Sequence, residues 1–265
     1  MKKYELTDET IVIGGQILHR IRALRDFAEV KAGDIGGYIE NENNLSHEGN
    51  AWVSDKAYVS DKARVSGNAR VSGNACISDR AWIFGNAWVS GNACVSGNVW
   101  VFGDTQIRDN ACVCENARIS DKAYIFGNAW ICQNAKISDN ARVFGNTWIC
   151  GDACVSGKAW VFGNARVIDK ACVSGNVHVS GDAYVCENAK IAANEDYTII
   201  QGFGTECRVT TFYRCVDGKV RVKCGCFSGT IDEFRDQVKR TRTGKVAKEY
   251  LTIANLMEYH FAEET

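Results

Sequence analysis

Histidine is the side chain best suited to act as a general base near neutral pH, and this chain contains four. His178 lies in the most regular part of the sequence, and His47 lies just before that part begins. No catalytic constellation surrounds either residue in the sequence, and a lone surface histidine is usually only solvated. We therefore expect no catalytic site, and we keep His178 and His47 as the alternative catalytic residues.

Anion binding is indicated by a cluster of cations near the carboxyl end. Between Arg208 and Lys248, eleven lysine or arginine residues stand against four acidic residues, a local charge of +7. Asp217-Gly218 predicts a hairpin whose two-residue turn would place one aromatic ring and five cations on the solvent face. A merely solvated hairpin face is the competing interpretation. The predicted binding site for an anionic ligand or an acidic protein comprises Arg208, Phe212, Arg214, Lys219, Arg221 and Lys223.

Thirteen cysteines raise the questions of metal binding and of disulfides. Cys207, Cys215, Cys224 and Cys226 lie in the tail, but their spacing does not match paired Cys-x-x-Cys zinc knuckles. The hairpin pairing described above would instead place them on an apolar face that packs on helices. We expect no metal site and no cofactor. Most other cysteines recur every 18 residues, which permits disulfides between neighbouring repeats, but reduced thiols are expected in a chain without an export signal.

A repeat in the middle of the chain positions His178 and most of the cysteines. A six-residue phrase of the form Asn-Ala-x-Val-Ser-Gly, here called a hexad, runs without interruption from Asn50 to Ala193 in 24 copies. Position four is Val or Ile in every copy and position two is Ala in 20 copies, so inward residues alternate with outward ones, as in a strand. Gly, Asn and Asp at positions six and one predict a corner in every hexad.

The outward residues indicate how many hexads form one coil, because like residues recur at intervals of 18. Phe84 and Phe102 obey this interval, as do Cys114, Cys132 and Cys150. Three hexads therefore form one triangular coil of parallel strands, and residues 50–193 predict an all-β solenoid of about eight coils. At about 4.8 Å per coil, the rod would be about 38 Å long.

The run Val-Ser-Asp-Lys-Ala-Tyr at residues 53–58 and its relatives along the chain resemble the hexapeptide repeat of left-handed parallel β-helix proteins. The similarity is closest to the uncharacterised YdcK-like β-solenoids of bacteria and phages, and it covers about residues 33–193. It implies left-handed winding, against the general preference for right-handed crossovers. It also implies association of subunits, commonly as trimers.

Many hexapeptide-repeat proteins are acyltransferases in which a histidine deprotonates the acceptor in a cleft between subunits, so the resemblance implies this activity as well. Those enzymes generally carry a loop excursion that covers the acyl donor, whereas the 24 hexads here pass without an insertion. The uninterrupted repeat also contains a single histidine, His178. If the chain is an enzyme, we expect an acyl-CoA-dependent acyltransferase with His178 or His47 at a subunit interface.

Both ends of the chain depart from the repeat. Residues 1–49 predict a strand-rich cap followed by degenerate opening coils, which would protect the first sheet edge. Residues 194–265 predict a small α+β domain with a hairpin and two helices. The first helix should begin at a capping box formed by Thr230 and Glu233. Its apolar stripe and that of the second helix comprise Ile231, Phe234, Val238, Val246, Tyr250, Ile253, Met257 and Phe261.

All seven tryptophans occupy position three and are predicted to face outward: Trp52, Trp82, Trp88, Trp100, Trp130, Trp148 and Trp160. Stacking at 18 residues gathers aromatic rings into two patches, and contiguous apolar patches usually mark an interface. The ends of the chain could instead cover them. The first aromatic patch comprises Trp82, Phe84, Trp100 and Phe102, and the second aromatic patch comprises Tyr124, Phe126, Phe144, Trp160 and Phe162.

The composition argues against a membrane protein and against an exported one. The formal charge is −1 on 265 residues, no apolar run is long enough to span a membrane, and the amino terminus is no signal peptide, so we expect a cytoplasmic protein. The favoured hypothesis is a non-catalytic scaffold or binding protein that forms a dimer or trimer through its aromatic patches. The alternatives are the acyltransferase described above and a phage or prophage protein that sequesters an anionic ligand or host factor.

Overall fold

A computed structural model describes residues 2–262 and shows a parallel β-solenoid of about nine turns, followed by antiparallel strands and two helices. The predicted β-solenoid with a small α+β tail is confirmed. The left-handed winding stays a prediction. Within residues 2–262, no helix is both long and apolar enough to cross a membrane.

Positions three and four of every hexad form a two-residue strand, and the three strands of a coil belong to three different sheets, here called face 1, face 2 and face 3 in chain order. Face 1 consists of Trp52–Val53, Arg70–Val71, Trp88–Val89, Gln106–Ile107, Tyr124–Ile125, Arg142–Val143, Trp160–Val161 and His178–Val179. Face 2 consists of Tyr58–Val59, Cys76–Ile77, Cys94–Val95, Cys112–Val113, Trp130–Ile131, Trp148–Ile149, Arg166–Val167 and Tyr184–Val185. Face 3 consists of Arg64–Val65, Trp82–Ile83, Trp100–Val101, Arg118–Ile119, Lys136–Ile137, Cys154–Val155, Cys172–Val173 and Lys190–Ile191.

The inward columns of the three faces form one continuous core. The residues at positions two and four are buried in every coil, nearly all with 0% exposure. The strands are held by hydrogen bonds to the next coil: the N–H of Trp52 donates to Ala69 O at 3.0 Å, and that of Ser54 to Val71 O at 2.9 Å. Because each coil is satisfied only by its neighbours, the two ends of the stack need caps.

Position six takes the left-handed conformation in every hexad but the last, whether it is glycine, aspartate, glutamate or glutamine, and Ala193 is extended. Asp55 has φ 58°, and its carboxylate accepts a hydrogen bond from the N–H of Gly73, one coil further on, at 2.9 Å. Aspartate tolerates this conformation and adds a bond between coils. Gly97 has φ 84°, and a β-carbon there would lie 2.5 Å from the carbonyl oxygen of Glu115. A β-carbon at this corner would therefore force the two coils to shift.

The amino-terminal segment caps the open end of the stack. Strands Tyr4–Ile13 and Gln16–Ala23 pair antiparallel and continue face 2 through Ile35–Ile39, which pairs parallel with the first two-residue strand of that face. A bridge between Leu45 and Val65 extends face 3 in the same way. The predicted degenerate opening coil thus exists, and it raises the count from the predicted eight coils to about nine.

Trp52 is buried, so the prediction that it faces outward is wrong. Only 8% of its surface is exposed. The ring of Phe27 lies 5.4 Å from its centroid and that of Tyr4 lies 6.5 Å away. Phe27 belongs to the loop after the hairpin, and the short 3-10 helix Glu42–Asn44 lies beside Tyr4, whose hydroxyl reaches Glu42 O at 3.3 Å. The cap supplies the cover that the repeat alone does not.

The tail after the 3-10 helix Asn194–Asp196 has one sheet and two helices. Its antiparallel strands, in spatial order, are Tyr197–Ile200, Thr210–Arg214, Val220–Cys224 and Phe227–Thr230. Helix α1 spans Ile231–Thr241 and helix α2 spans Gly244–His260. The predicted capping box is confirmed: Thr230 N–H donates to Glu233 Oε2 at 2.7 Å, and Glu233 N–H donates to Thr230 Oγ1 at 3.3 Å. The predicted apolar stripes face the sheet, with Val246 partly exposed and the others buried.

The tail packs on the last coil of its own chain. The Tyr213 hydroxyl lies 3.0 Å from Cys186 Sγ, and both side chains are buried. The N–H of Val216 donates to Asn188 O at 3.0 Å. These contacts close the carboxyl end of the stack, as the hairpin closes the other end.

The tail hairpin pairs one residue away from the predicted register. Its loop is residues 216–218 rather than two residues, and the N–H of Gly218, at φ 75°, donates to Cys215 O at 3.0 Å. Phe212 therefore pairs with Val222. A slip of one residue exchanges the two faces of a strand. Phe212 and Val222 consequently pack against the helices, and the predicted solvent face is wrong.

Candidate functional site

The first aromatic patch forms as predicted, on face 3 and on the edge between face 3 and face 1. Trp82 and Trp100 lie on adjacent coils with ring centroids 5.8 Å apart, and Phe84 and Phe102 stack at 5.1 Å with an interplanar angle of 8°. Trp82 also contacts Phe84 at 4.7 Å. Trp82 and Trp100 are 38% and 40% exposed. The four rings form one packed apolar surface that solvent reaches.

Trp88 is a further exposed tryptophan and lies on face 1. It is 39% exposed, and its indole N–H donates to Ser72 Oγ at 3.2 Å. Trp82 makes the equivalent bond to Ser66 Oγ at 3.1 Å. Because the polar atoms of both indoles are satisfied within the chain, their outward surfaces are apolar.

The second aromatic patch also forms as predicted, on face 1 and on the edge between face 1 and face 2. Phe126, Phe144 and Phe162 stack along three coils at 4.7 and 5.1 Å. Tyr124 lies 4.7 Å from Phe126, and Trp160 lies 6.2 Å from Phe144. All five rings are partly buried, as are Phe84 and Phe102, whereas the two tryptophans of the first patch are exposed.

An arginine contacts one tryptophan of each patch. The guanidinium of Arg118 lies 5.2 Å from the ring of Trp100, and that of Arg142 lies 5.0 Å from the ring of Trp160. Such cation–π contacts contribute about 0.5–1 kcal/mol at exposed sites. They hold the rings in place, so little side-chain freedom remains to be lost on binding.

A third pair of exposed rings was not grouped into a patch by sequence reasoning. Trp130 and Trp148 lie on face 2 with centroids 6.1 Å apart, and they are 50% and 43% exposed. Together with Arg166 and Tyr184 they line a groove of about 380 Å³. Their 18-residue interval indicated that the two rings lie on adjacent coils. In the two patches phenylalanines follow two residues after the column, on the next edge, whereas Cys132 and Cys150 stand on the next edge after Trp130 and Trp148.

A disulfide joins Cys132 and Cys150 on that edge, with their Cα atoms 4.9 Å apart. The expectation that all ladder thiols are reduced is therefore wrong for this pair. Adjacent coils hold the two residues within the Cα separation that a disulfide requires. The other described cysteines are free, including Cys76 and Cys94, which pair in register on face 2.

His178 lies on the outer surface of the last coil. Its ring lies 5.1 Å from that of Trp160, and its backbone N–H donates to Asn194 Oδ1 at 2.9 Å. Within residues 2–262, no carboxylate orients its imidazole by a hydrogen bond or an ion pair. A general base of the usual kind has such an orienting partner.

His47 belongs to the amino-terminal cap. Its ring stacks on Tyr4 at 4.3 Å, and its Nδ1 accepts a hydrogen bond from the N–H of Lys3 at 3.2 Å. Nε2 of the neutral ring therefore carries the proton and points towards Glu42, 3.7 Å away. These contacts position the ring for packing within the cap rather than for catalysis at an open cleft.

The six residues predicted to form an anion-binding site in the tail do not share one surface. Phe212 is fully buried between the sheet and the helices. Arg214 lies on the same side, where its guanidinium donates to Phe261 O at 2.8 Å and pairs with Asp196 at 3.5 Å. Both residues are held within the tail.

Arg221 and Lys223 project from the opposite side of the tail sheet, towards the last coil. Arg221 lies 3.4 Å from Asp217 and 4.0 Å from Glu187, and those carboxylates raise its pKa against the opposing effect of burial. Lys223 lies 5.1 Å from the ring centroid of Tyr184. The charges of this side are thus largely matched within the chain.

Arg208 and Lys219 lie apart from both groups. Arg208 pairs with Glu206 at 3.6 Å and lines a cleft of about 160 Å³ between the tail sheet and its helices. Lys219 is exposed beside the hairpin loop. A common cationic face does not exist, because the register slip distributes these residues over both sides of the sheet. Anion binding at the tail stays a prediction.

Known proteins similar to this chain are consistent with its fold. A family model described as the YdcK beta solenoid repeat matches residues 63–79 and 135–150, both within the hexads. The uncharacterized acetyltransferase YdcK of Escherichia coli (strain K12) is 38% identical over 63 residues. That alignment covers 21% of this chain and 19% of the relative, so the likeness spans about a fifth of the relative's length. The matched residues belong to the stacked coils, so the repeat that builds this solenoid is similar to the YdcK beta solenoid repeat.

Proposed function

We propose that this chain is a non-catalytic binding scaffold that self-associates through the first aromatic patch. The observation that carries the proposal is the packed, solvent-exposed surface of Trp82, Phe84, Trp100 and Phe102. Exposed apolar surface of this extent is typical of interaction sites. Tryptophan is also among the residues that contribute most to binding at interfaces.

The rigid backbone beneath the patch favours association. The backbone beneath the rings is hydrogen-bonded between coils, as in the bonds from Trp82 N–H to Val99 O at 2.8 Å and from Phe84 N–H to Val101 O at 3.0 Å. Tryptophan and phenylalanine have only two side-chain torsions, and stacking already restricts them. Association therefore costs little side-chain entropy, so a larger share of the free energy from burying apolar surface contributes to the affinity.

The positions of the patches favour a two-fold dimer. The first patch lies on the second and third full coils and the second patch on the fifth to seventh, so their centres are about 17 Å apart along the rod. In a trimer whose three-fold axis runs along the rod, each subunit contacts its neighbours through two different surfaces that lie at the same height along the rod. The two aromatic patches lie at different heights, so they cannot contact each other in such a trimer. A two-fold dimer needs only one patch that contacts its own copy.

Light scattering after size exclusion tests the proposal. The wild type should have twice the 29.2 kDa mass of one chain at micromolar concentration, and Trp82→Ser/Trp100→Ser should have the mass of a monomer. Losing about 2 kcal/mol per tryptophan weakens a dimer about thirtyfold for each. Trp130→Ser/Trp148→Ser is the matched control, because it removes from face 2 two tryptophans that are at least as exposed. A monomeric wild type, or a control that dissociates equally, would overturn the proposal.

The name of the YdcK relative favours acetyl transfer as a second candidate function. In this chain the base would be His178, the exposed histidine of the last coil. Acetyl-coenzyme A should then raise the melting temperature of the wild type, because a bound ligand stabilises the native state. His178→Ala should bind the donor but lose transfer to amine acceptors. The absence of both the thermal shift and the transfer would remove this candidate.

A further inference from the structure

Face 3 carries two free thiols on neighbouring strands near the tail. Cys154 and Cys172 pair in register between adjacent coils, and both side chains are half-buried. Neighbouring strands lie about 4.8 Å apart, a Cα separation that permits a disulfide. The joined pair Cys132–Cys150 shows that adjacent coils of this chain accommodate one.

Two lysines flank these thiols in the same column. Lys136 pairs in register with Cys154, and Lys190 pairs in register with Cys172. A hydrogen bond from Cys154 and the charge of Lys190 lower the pKa of Cys172, against the effect of burial. The same hydrogen bond, together with burial, raises the pKa of Cys154. Cys172 is thus the thiol of the pair that ionises more readily, and Cys154 donates a hydrogen bond to it.

Face 2 provides a comparison without lysines. Cys94 and Cys112 also pair in register and are half-buried, and a hydrogen bond from Cys94 lowers the pKa of Cys112. Their column continues to Cys76 on one side and to Trp130 on the other. What distinguishes the face 3 pair is therefore its two flanking cations.

We propose that Cys154 and Cys172 form a thiol–disulfide exchange site for small disulfides that carry carboxylates. The Cys172 thiolate attacks one sulfur of the substrate, which forms a mixed disulfide and releases the first substrate half as a thiolate. Cys154 then attacks Cys172 Sγ, closes the intramolecular disulfide and releases the second half, and its proton passes to a released thiolate. The substrate is reduced to two thiols and the protein dithiol is oxidised. Lys136 and Lys190 attract the carboxylates of the substrate.

The first test measures which thiol reacts fastest. The fully reduced protein is treated with limiting iodoacetamide at pH 6.5, and the alkylated cysteines are identified by peptide mass mapping. Cys172 should react about tenfold faster than Cys112, since its larger thiolate fraction outweighs the lower nucleophilicity of a more acidic thiol. Equal rates, or a faster Cys112, would overturn the proposal.

The flanking charges are tested in the same assay. The charged residues of the hexads that surround the pair are Lys136, Asp139, Asp152, Lys170 and Lys190. Lys190→Gln should slow the alkylation of Cys172 severalfold, because the cation that favours the thiolate is gone. Lys122→Gln, in the turn before the face 1 strand Tyr124–Ile125, should leave the rate unchanged. An unchanged rate in Lys190→Gln would contradict a role for the lysine.

The second test follows the exchange itself with oxidised glutathione as the probe. The wild type should end as the Cys154–Cys172 disulfide, whereas Cys154→Ala should keep glutathione bound to Cys172. Cys172→Ala should form neither product at these positions. The outward side chains contribute nothing to the solenoid core, so each variant should keep the wild-type circular dichroism spectrum. A mixed disulfide that persists in the wild type, or one that Cys154→Ala resolves equally fast, would refute the exchange site.

Discussion

Replacement of Lys3 tests how the amino-terminal cap is held together. This lysine is fully buried, its Nζ donates to Ala51 O at 2.7 Å, and it lies 5.1 Å from the centroid of the Phe27 ring. No carboxylate among residues 2–262 forms an ion pair with it. Burial, and then the charge of Arg25, lowers the pKa of Lys3 from 10.5 to about 8. The native cap therefore holds a charge that its surroundings disfavour.

The size of the effect follows from the two pKa values. Between pH 8 and 10.5 the unfolded chain holds a proton on Lys3 that the native chain lacks, so the free energy of unfolding rises with pH. The full difference corresponds to about 3 kcal/mol, and about 2.5 kcal/mol of it is gained between pH 7 and pH 10. Lys3→Met keeps an unbranched side chain and cannot titrate. Its stability advantage over the wild type should therefore shrink by about 2.5 kcal/mol over that interval.

Urea unfolding followed by circular dichroism measures this advantage. Wild type and Lys3→Met are compared at pH 7 and pH 10, and all other titrating groups cancel in the difference. Lys31→Met, which replaces an exposed lysine of the same cap, should show no such pH dependence. An advantage of Lys3→Met that stays constant from pH 7 to pH 10 would refute the assignment of a buried, disfavoured ammonium.

Two further substitutions test the corners and the tail contact. Both Gly97 and Gly218 have positive φ, and Gly218→Ala should lower the free energy of unfolding in urea by about 1–2 kcal/mol for that reason alone. Gly97→Ala should lower it more than twice as much, because a β-carbon at Gly97 would also meet backbone atoms of the next coil. Equal costs would show that the coils can separate at the corner. Tyr213→Phe should cost about 1 kcal/mol through loss of the contact between its hydroxyl and Cys186, while Tyr259→Phe, at an 82% exposed position, should cost nothing measurable. A Tyr213→Phe protein as stable as the wild type would mean that the contact does not hold the tail.

The solenoid was predictable because its signal repeats. A single Val or Cys says little about local structure, but columns such as Phe126, Phe144 and Phe162 fix both the period and the direction in which side chains point. The same columns predicted the two aromatic patches, since ring contacts between adjacent coils follow directly from in-register stacking.

The parts that sequence reasoning missed depend on contacts without a repeat. Asp217-Gly218 is compatible with two-residue and with three-residue hairpin loops. The three-residue loop is the one observed, and in its register the Tyr213 hydroxyl contacts Cys186 of the last coil. The burial of Trp52 depends on Phe27, which reaches it from a loop without any periodic pattern. Likewise, several pairs of cysteines are 18 residues apart and lie on adjacent coils, close enough to form a disulfide. The spacing alone therefore does not single out Cys132–Cys150.

The central claim, that copies of this chain meet at the first aromatic patch, is tested most directly by hydroxyl-radical footprinting at increasing protein concentration. Peptide mapping then reports the oxidation of each tryptophan in the same sample. Trp82 and Trp100 should become protected as the dimer forms, while Trp130 and Trp148, which are at least as exposed, should stay equally reactive throughout. Protection of Trp130 and Trp148 instead, or oxidation of all four that does not change with concentration, would contradict the account.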